Sequence, residues 1–120
     1  MAARPLEAAV GGGPDVATIA LHGQIDRDAD AALVGAYARA VVLGSSAIEV
    51  DFADVDYINS TGIALIVRLL ADARRDRREI RVRGLTEHYQ EIFRITRLAD
   101  FMTMLDETPA VAGTMDGGRG

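Results

Sequence analysis

A change of hydrophobic period between residues 48 and 70 constrains the fold of this chain more than any other feature. Apolar and acidic residues alternate over 48–52, which is typical of a strand with one face wetter than the other. After a short interruption at Ala53-Asp54 and a polar run at 59–62, apolar residues recur at the i, i+3, i+4, i+7 spacing of a helix. They are Ile63, Ile66, Val67 and Leu70. A strand that passes through a polar turn into an apolar helix is the repeating unit of an α/β sheet.

The same alternation of strand and helix continues on both sides of this unit. Toward the N-terminus, residues 16–21 predict a buried strand that is apolar on both faces, and helical spacing over 28–43 predicts an amphipathic helix. Toward the C-terminus, alternation over 80–83 predicts another strand, and a helix is expected to begin near Thr86. Residues 101–105 are expected to form a final edge strand.

The order of these segments predicts an α/β fold with a mixed, mostly parallel sheet of four to five strands and three to four helices. A short first strand from Leu6 to Val10 is joined to the next by the turn Gly11–Asp15 and should therefore run antiparallel to it. The parallel strands should be connected by right-handed βα crossovers. We expect one domain over residues 1–107 and a flexible C-terminal tail over 108–120.

Composition excludes several classes of function. The 120 residues include no cysteine and no lysine, so zinc–cysteine sites, thiol catalysis, a Walker A lysine and a Schiff-base lysine are excluded. The net charge of −5 argues against nucleic-acid binding. No apolar run approaches the roughly 18 residues of a membrane span, and residues 1–7 lack the apolar core of a signal peptide. We therefore expect a cytoplasmic protein with no cofactor.

Positive charge is concentrated in one part of the chain. The stretch Arg68–Arg83 holds seven arginines and three acidic residues, a net charge of +4, against −9 over the rest of the chain. Two interpretations remain open for it. The arginines can be a solvated helix end that complements the helix dipole, or they can form a patch that binds a partner.

The three alternating carboxylates Asp26, Asp28 and Asp30 could form a metal-binding run. A calcium loop would need glycine and glutamate where this chain has Ala31 and Tyr37, so the pattern fails. Acidic residues at a helix N-terminus are favoured by capping and by the dipole, and this is the role the sequence predicts. We predict no metal site.

The run Asn59-Ser60-Thr61-Gly62 occupies the position at which α/β sheets present their functional groups, between the carboxyl end of a parallel strand and a helix. One interpretation is plain N-capping by Asn59 or Ser60, with Gly62 permitting tight packing. The other is that Ser60 accepts a phosphoryl group, which carries about −1.5 to −2 charges. Position alone does not decide between the two.

Three segments resemble the STAS domain family, to which the anti-sigma factor antagonists belong. Residues 51–63 resemble the family signature, 21–26 the element that ends a strand with glycine and aspartate, and 94–101 the final helix and turn. The resemblance covers roughly residues 16–107. It implies a non-enzymatic module that binds an anti-sigma factor, often a GHKL-type serine kinase, and releases it when a serine is phosphorylated. A phosphatase then restores binding.

By this resemblance the phosphorylated serine corresponds to Ser60, with Thr61 as the alternative acceptor. The partner-binding residues implied are Gly23, Asp26, Asn59, Ser60, Thr61 and Gly62. The family's aspartate before the serine is Asn59 here, which keeps the capping oxygen but removes a charge. A variant that binds constitutively, or that responds to a different kinase, fits equally well.

The sequence leaves two other functions open. One is a STAS scaffold or accessory subunit, as in stressosome-like or lipid-transport complexes, without regulated phosphorylation and with the possibility of a homodimer. The other is a small hydrolase using Asp26 or His22. No spacing in the sequence places either histidine, His22 or His88, beside a nucleophile and an oxyanion hole.

Overall fold

The computed structural model describes residues 4–105, which form five strands and three helices. The elements in chain order are β1 (Glu7–Gly12), β2 (Val16–Ile25), α1 (Asp30–Val42), β3 (Ala47–Ile58), α2 (Ser60–Arg75), β4 (Glu79–Arg83), α3 (Glu87–Ile95) and β5 (Thr103–Met104). Short 3-10 helices at Arg27–Ala29 and Leu98–Phe101 precede α1 and follow α3. The predicted flexible tail lies outside the described residues.

The five strands form one sheet in the order β1-β2-β3-β4-β5. β1 pairs antiparallel with β2, and every other pair is parallel. Each parallel pair is connected through one of the three helices. The predicted α/β class, the mixed sheet and the antiparallel first strand are therefore confirmed.

The core lies against one face of the sheet. The strand register places buried residues of β2, β3 and β4 side by side on that face: Ala17 and Ile19, Ile48 and Val50, Ile80 and Val82. Buried residues of all three helices join the same apolar cluster, in which the Phe52 and Phe93 rings meet edge to face at 6.3 Å. The other face of β2 is only half-buried, so the prediction of a strand buried on both faces is wrong for this part of the sheet.

β3 differs from the sequence-based expectation because it runs without a break from Ala47 to Ile58. The interruption expected at Ala53-Asp54 is instead a pair of register shifts between β2 and β3. Between the pairs Ala20–Asp51 and His22–Asp54, β3 contains one residue more than β2. Such bulges break the side-chain alternation and add twist while the strand continues. β2 likewise runs on to Ile25, beyond the predicted range of 16–21.

Candidate functional site

The carboxyl ends of β2 and β3 lie next to each other and carry the predicted site. Ile25 pairs with Ile58 at the last position of the two strands, so the residues that follow, Asp26 and Asn59, are neighbours. The backbone N–H of Asn59 also donates a hydrogen bond to the carbonyl oxygen of Ile25, at 3.2 Å. The start of α2 is thereby attached directly to the end of β2.

Asn59 is the N-cap of α2. Its backbone is extended, and its side-chain oxygen Oδ1 accepts a hydrogen bond from the backbone N–H of Gly62 at 2.8 Å. Its carbonyl oxygen accepts from the N–H of Ile63 at 2.9 Å. Of the two capping candidates that the sequence offered, Asn59 is therefore the cap, and the hydroxyl of Ser60 is not used for this purpose.

Gly62 brings the first turn of α2 into contact with β2. A Cβ atom at this position would overlap the carbonyl oxygen of Ile25 and would lie 2.7 Å from its carbonyl carbon. Both obstructing atoms belong to the backbone of the buried residue Ile25 and cannot turn aside as a side chain would. Only glycine permits this approach.

Ser60 and Thr61 are the first two residues of α2, and both are exposed. The first amide groups of a helix have no acceptor within the helix, and the dipole makes its N-terminus attractive to anions. The two hydroxyl groups therefore lie on a rigid, solvent-accessible turn that is electrostatically suited to carry a phosphate.

Asp26 and Gly23 act through local backbone geometry. Asp26 is half-buried and caps the 3-10 helix by accepting a hydrogen bond from the N–H of Asp28 at 3.0 Å. Gly23 is buried with φ = 112°, and a Cβ there would lie 2.5 Å from the carbonyl oxygen of Pro5. The capping role predicted for the acidic run is thus observed at Asp26, and the side chain of Asp30 lies 3.5 Å from Arg68.

Within residues 4–105 no group of histidine and acidic side chains could hold a metal ion.

Acidic side chains close to this edge are paired with basic ones. Arg4 donates hydrogen bonds to both carboxylate oxygens of Asp56, at 2.8 and 3.0 Å, and these bonds lower the pKa of the Asp56 carboxyl group. Nδ1 of His22 lies 2.9 Å from Oδ2 of Asp54. His22 is therefore bound to a carboxylate on the half-exposed sheet face.

The family model described as "Mlab, STAS domain" matches residues 8–106, which is most of the chain. The chain belongs to the STAS domain family. No curated protein sequence matches it. None of the helices in the described part of this STAS domain is long and apolar enough to cross a membrane.

Solved structures with the same fold include two anti-sigma factor antagonists, one of them in two forms. One from Mycobacterium paratuberculosis is 17% identical, covers 85% of this chain and 86% of its own, and gives a TM-score of 0.69. The antagonist SpoIIAA in its unphosphorylated form is 16% identical, with coverage of 84% and 89% and a TM-score of 0.64. The Bacillus cell fate determinant SpoIIAA in the phosphorylated form is 16% identical, with coverage of 83% and 92% and a TM-score of 0.62. At these identities the likeness shows a shared fold.

One residue that supports the site of the STAS domain was missed in the sequence. The hydroxyl of Tyr89, on α3, accepts a hydrogen bond from the N–H of Ile58 at 2.9 Å and lies 3.4 Å from its carbonyl oxygen. It therefore holds the last residue of β3, directly before the cap of α2. Tyr89 lies 31 positions along the chain from Ile58, and no local pattern indicates the contact.

The six residues predicted to bind a partner thus differ in what they can offer. Ser60 and Thr61 are exposed, Asp26 and Asn59 are half-buried, and Gly23 and Gly62 are buried. The structure brings Asp26 and the 59–62 turn to the same edge of the sheet. The binding role of all six stays a prediction.

Proposed function

We propose that this STAS domain is a non-enzymatic anti-sigma factor antagonist, which binds an anti-sigma factor and is switched by phosphorylation of Ser60. The observation that carries the proposal is the exposed Ser60 side chain on the first turn of α2, a turn held in place by Asn59 and Gly62. Two of the solved structures with this fold describe one antagonist, SpoIIAA, in its unphosphorylated and phosphorylated forms. They support the choice of function.

The fixed geometry of this edge favours protein binding. The cap of Asn59, the close approach of Gly62 to Ile25 and the hydrogen bond from the N–H of Ile58 to the Tyr89 hydroxyl all hold the backbone on which Ser60 and Thr61 are displayed. A surface that is ordered before binding avoids part of the entropy cost of association. A partner that covers this edge would contact the two hydroxyl groups directly.

The negative charge of a phosphate on Ser60 would weaken partner binding. The edge carries the carboxylates of Asp26, Asp28, Asp54 and Asp56. Arg4 pairs with Asp56, His22 lies beside Asp54, and Arg27 lies 3.9 Å from Asp28. A phosphoserine at position 60 adds about two further negative charges, which the free amides of α2 stabilise within the domain. A partner fitted to the neutral hydroxyl would meet added bulk and repulsion, at a cost of several kcal/mol. Each 1.4 kcal/mol weakens binding about tenfold.

The proposed partner is an anti-sigma factor that is also a GHKL-type serine kinase, and a phosphatase would reverse the modification. Asn59 replaces a family aspartate, so the kinase must accept a neutral residue before the serine. Thr61 is the alternative acceptor, since it is also exposed on the first turn. We further propose that the protein works in the cytoplasm.

A second candidate is a STAS subunit that docks on its partner through the same edge without being phosphorylated. Two observations favour it: the asparagine at position 59, and a matching family model described by Mlab rather than by an antagonist. The two candidates predict the same binding surface and differ only in the modification.

Binding measurements on charge variants test the switch. We expect Ser60→Ala to bind the anti-sigma factor as the wild type does, and Ser60→Asp to bind at least about a hundredfold more weakly. Ser46→Asp is the matched control, because Ser46 is exposed at the amino end of β3, away from the Ser60 edge. Isothermal titration of each variant against the anti-sigma factors of the same organism gives the affinities. Equal affinities for Ser60→Asp and Ser46→Asp would contradict the switch.

Mass spectrometry after incubation with ATP and the kinase separates the two candidates. The antagonist hypothesis expects one phosphate, on the peptide that contains Ser60, and its loss in Ser60→Ala. Binding without any phosphate on residues 59–62 would support the unmodified subunit instead.

A further inference from the structure

A groove lies at the opposite end of α2 from Ser60. It runs between the last turns of α2, the start of β4 and the 3-10 helix Leu98–Phe101. Two adjoining cavities of about 430 and 170 Å³ share Leu70, Arg74 and Phe101. Because α2 has 16 residues, its two ends are separated by roughly 24 Å. The groove is therefore separate from the edge assigned above to the anti-sigma factor.

The floor of the groove is apolar, and its rim includes exposed hydrophobic side chains. Residues that line it are Leu70, Ala73, Ile80, Leu98 and Met102. Phe101 is 48% exposed and Val67 is 43% exposed, although both are large apolar residues. Apolar side chains that remain exposed beside a concave surface are typical of protein-binding sites.

Two arginines on the rim can form ion pairs with a bound partner. The guanidinium groups of Arg74 and Arg77 have no ion pair within residues 4–105, and Arg74 lies over the Phe101 ring at 5.3 Å from its centroid. The two acidic residues of the groove are already engaged: Glu79 with Arg81 at 3.1 Å and Asp100 with Arg97 at 2.7 Å. The groove therefore has unpaired positive charge in a chain whose net charge is −5.

Arg77 is kept in a backbone conformation that suits glycine. It follows the C-terminus of α2 with φ = 59°, and the N–H of Arg78 donates to the carbonyl of Ala73 at 2.8 Å, as in a Schellman motif. An L-residue with a side chain is strained in this region. A non-glycine residue kept in this region raises the question of what its side chain does, and the side chain of Arg77 lines the groove.

We infer that this groove is a second docking site, which binds an acidic segment of a partner protein through Arg74 and Arg77 and buries that segment's apolar side chains on the groove floor. Charge complementarity selects the partner: the groove is cationic, while the remainder of the chain outside Arg68–Arg83 has a net charge of −9. That remainder repels an extended polyanion or an anionic membrane, whereas a short acidic segment contacts the groove alone. Binding here is compatible with a partner at Ser60, so one domain can connect two proteins.

Site-specific photocrosslinking in the organism of origin identifies the occupant. A photoreactive amino acid replaces Ala71, which lines the groove and is exposed, or Ala38, which is exposed on α1 and serves as the control. We expect a crosslink from position 71 only, to a segment of another protein that contains both acidic and apolar residues. The crosslink should disappear in the double variant Arg74→Glu/Arg77→Glu.

A synthetic peptide with the crosslinked sequence then tests the chemistry. Its affinity for the full chain should fall at least about tenfold in the double variant and should decrease with added salt. Arg27→Glu, which reverses a charge at the other end of the molecule, should leave the affinity unchanged. Equal affinity for wild type and double variant would overturn the proposal.

The remaining outcomes also decide the question. No crosslink above the Ala38 control, or a crosslink to a basic segment, overturns the proposal. A crosslink to a second copy, or to residues 106–120 of the chain itself, shows that the protein covers its own groove and overturns it as well. The proposal does not depend on the Ser60 switch: Ser60→Asp should leave the groove crosslink intact, and Arg74→Glu/Arg77→Glu should leave anti-sigma factor binding intact.

Discussion

The backbone of Gly62 in the first turn of α2 lies directly against the carbonyl group of Ile25, the last residue of β2. This contact connects two elements that are separated in sequence by α1 and β3. It fixes where the first turn of α2 lies relative to the end of β2, and therefore where the Ser60 hydroxyl lies. The exposed serine therefore depends on a buried glycine.

Gly62→Ala should destabilise the protein by about 3 kcal/mol, because the added methyl group overlaps a backbone carbonyl that cannot move away. Urea unfolding followed by circular dichroism measures the free energy of unfolding. Gly35→Ala on α1 is the control: its Cβ would meet only Arg39, at 3.5 Å, and alanine raises helix stability by about 1 kcal/mol. A loss of similar size in both variants would show that the contact with Ile25 has no special cost.

The two substitutions of Asn59 separate capping from charge. Asn59→Ala should lower the free energy of unfolding by about 1 kcal/mol, because the N–H of Gly62 loses its acceptor. Asn59→Asp keeps an acceptor oxygen, so its stability should remain within about 0.5 kcal/mol of the wild type. Under the proposed function, Asn59→Asp should also raise the rate at which the kinase phosphorylates Ser60. Chemical denaturation and a phosphorylation time course test the two statements, and equal destabilisation of both variants would rule out the cap.

The order of elements and the local chemistry of the site could be predicted because both depend on short-range patterns. The change from alternation to helical spacing indicates where β3 ends and α2 begins, and polar residues at that junction predict a capped helix. Residues Asn59 to Gly62 were therefore placed correctly. The resemblance to STAS domains adds the expectation of what the hydroxyl does, which position alone leaves open.

Features that depend on distant parts of the chain could not be predicted in this way. The bulges of β3 arise from its pairing with β2. They interrupt the alternation of buried and exposed side chains at Ala53-Asp54, so that the sequence pattern there predicts an interruption of the strand. The half-exposed sheet face follows from all three helices joining a core on one side, which the composition of 16–21 does not reveal. The Tyr89 hydrogen bond to Ile58 connects two residues far apart in sequence. Arg77 has no sequence signal, because glycine or asparagine is the usual residue at its position.

Because of Tyr37, the free energy of unfolding should decrease at alkaline pH. Burial and a 2.6 Å hydrogen bond to Asp76 raise the pKa of the Tyr37 hydroxyl well above its ordinary value of about 10. Above pH 10 the unfolded chain therefore loses a proton that the folded chain retains, and stability falls as the pH rises. The same hydrogen bond lowers the pKa of the Asp76 carboxyl group, so its contribution is present above the ordinary value of 3.8 and is lost as the pH falls below it.

Tyr37→Phe should remove the alkaline dependence, since it removes the hydroxyl. It should weaken the acid dependence without abolishing it, because Arg75 and Arg78 still lower the pKa of the Asp76 carboxyl group. Urea midpoints measured from acid to about pH 11 should change less with pH in this variant than in the wild type. Tyr57→Phe is the control, because the Tyr57 ring is half exposed. If Tyr37→Phe and the wild type lose stability in parallel above pH 10, the assignment to Tyr37 is wrong.

Arg77→Gly should stabilise the fold while it lowers the affinity of the proposed groove for its acidic partner segment. Glycine adopts the positive φ of this position without strain, so the free energy of unfolding should rise by up to about 1 kcal/mol. Arg75→Gly is the matched control: Arg75 lies in the last turn of α2 with helical geometry, and glycine there should cost about 1 kcal/mol. Urea unfolding measures both changes in the free energy of unfolding. A rise for Arg77→Gly together with a fall for Arg75→Gly would show that Arg77 is retained at a cost in stability. A loss of stability in Arg77→Gly would instead mean that the arginine is held for its contribution to folding, and that its strained backbone is no evidence for binding.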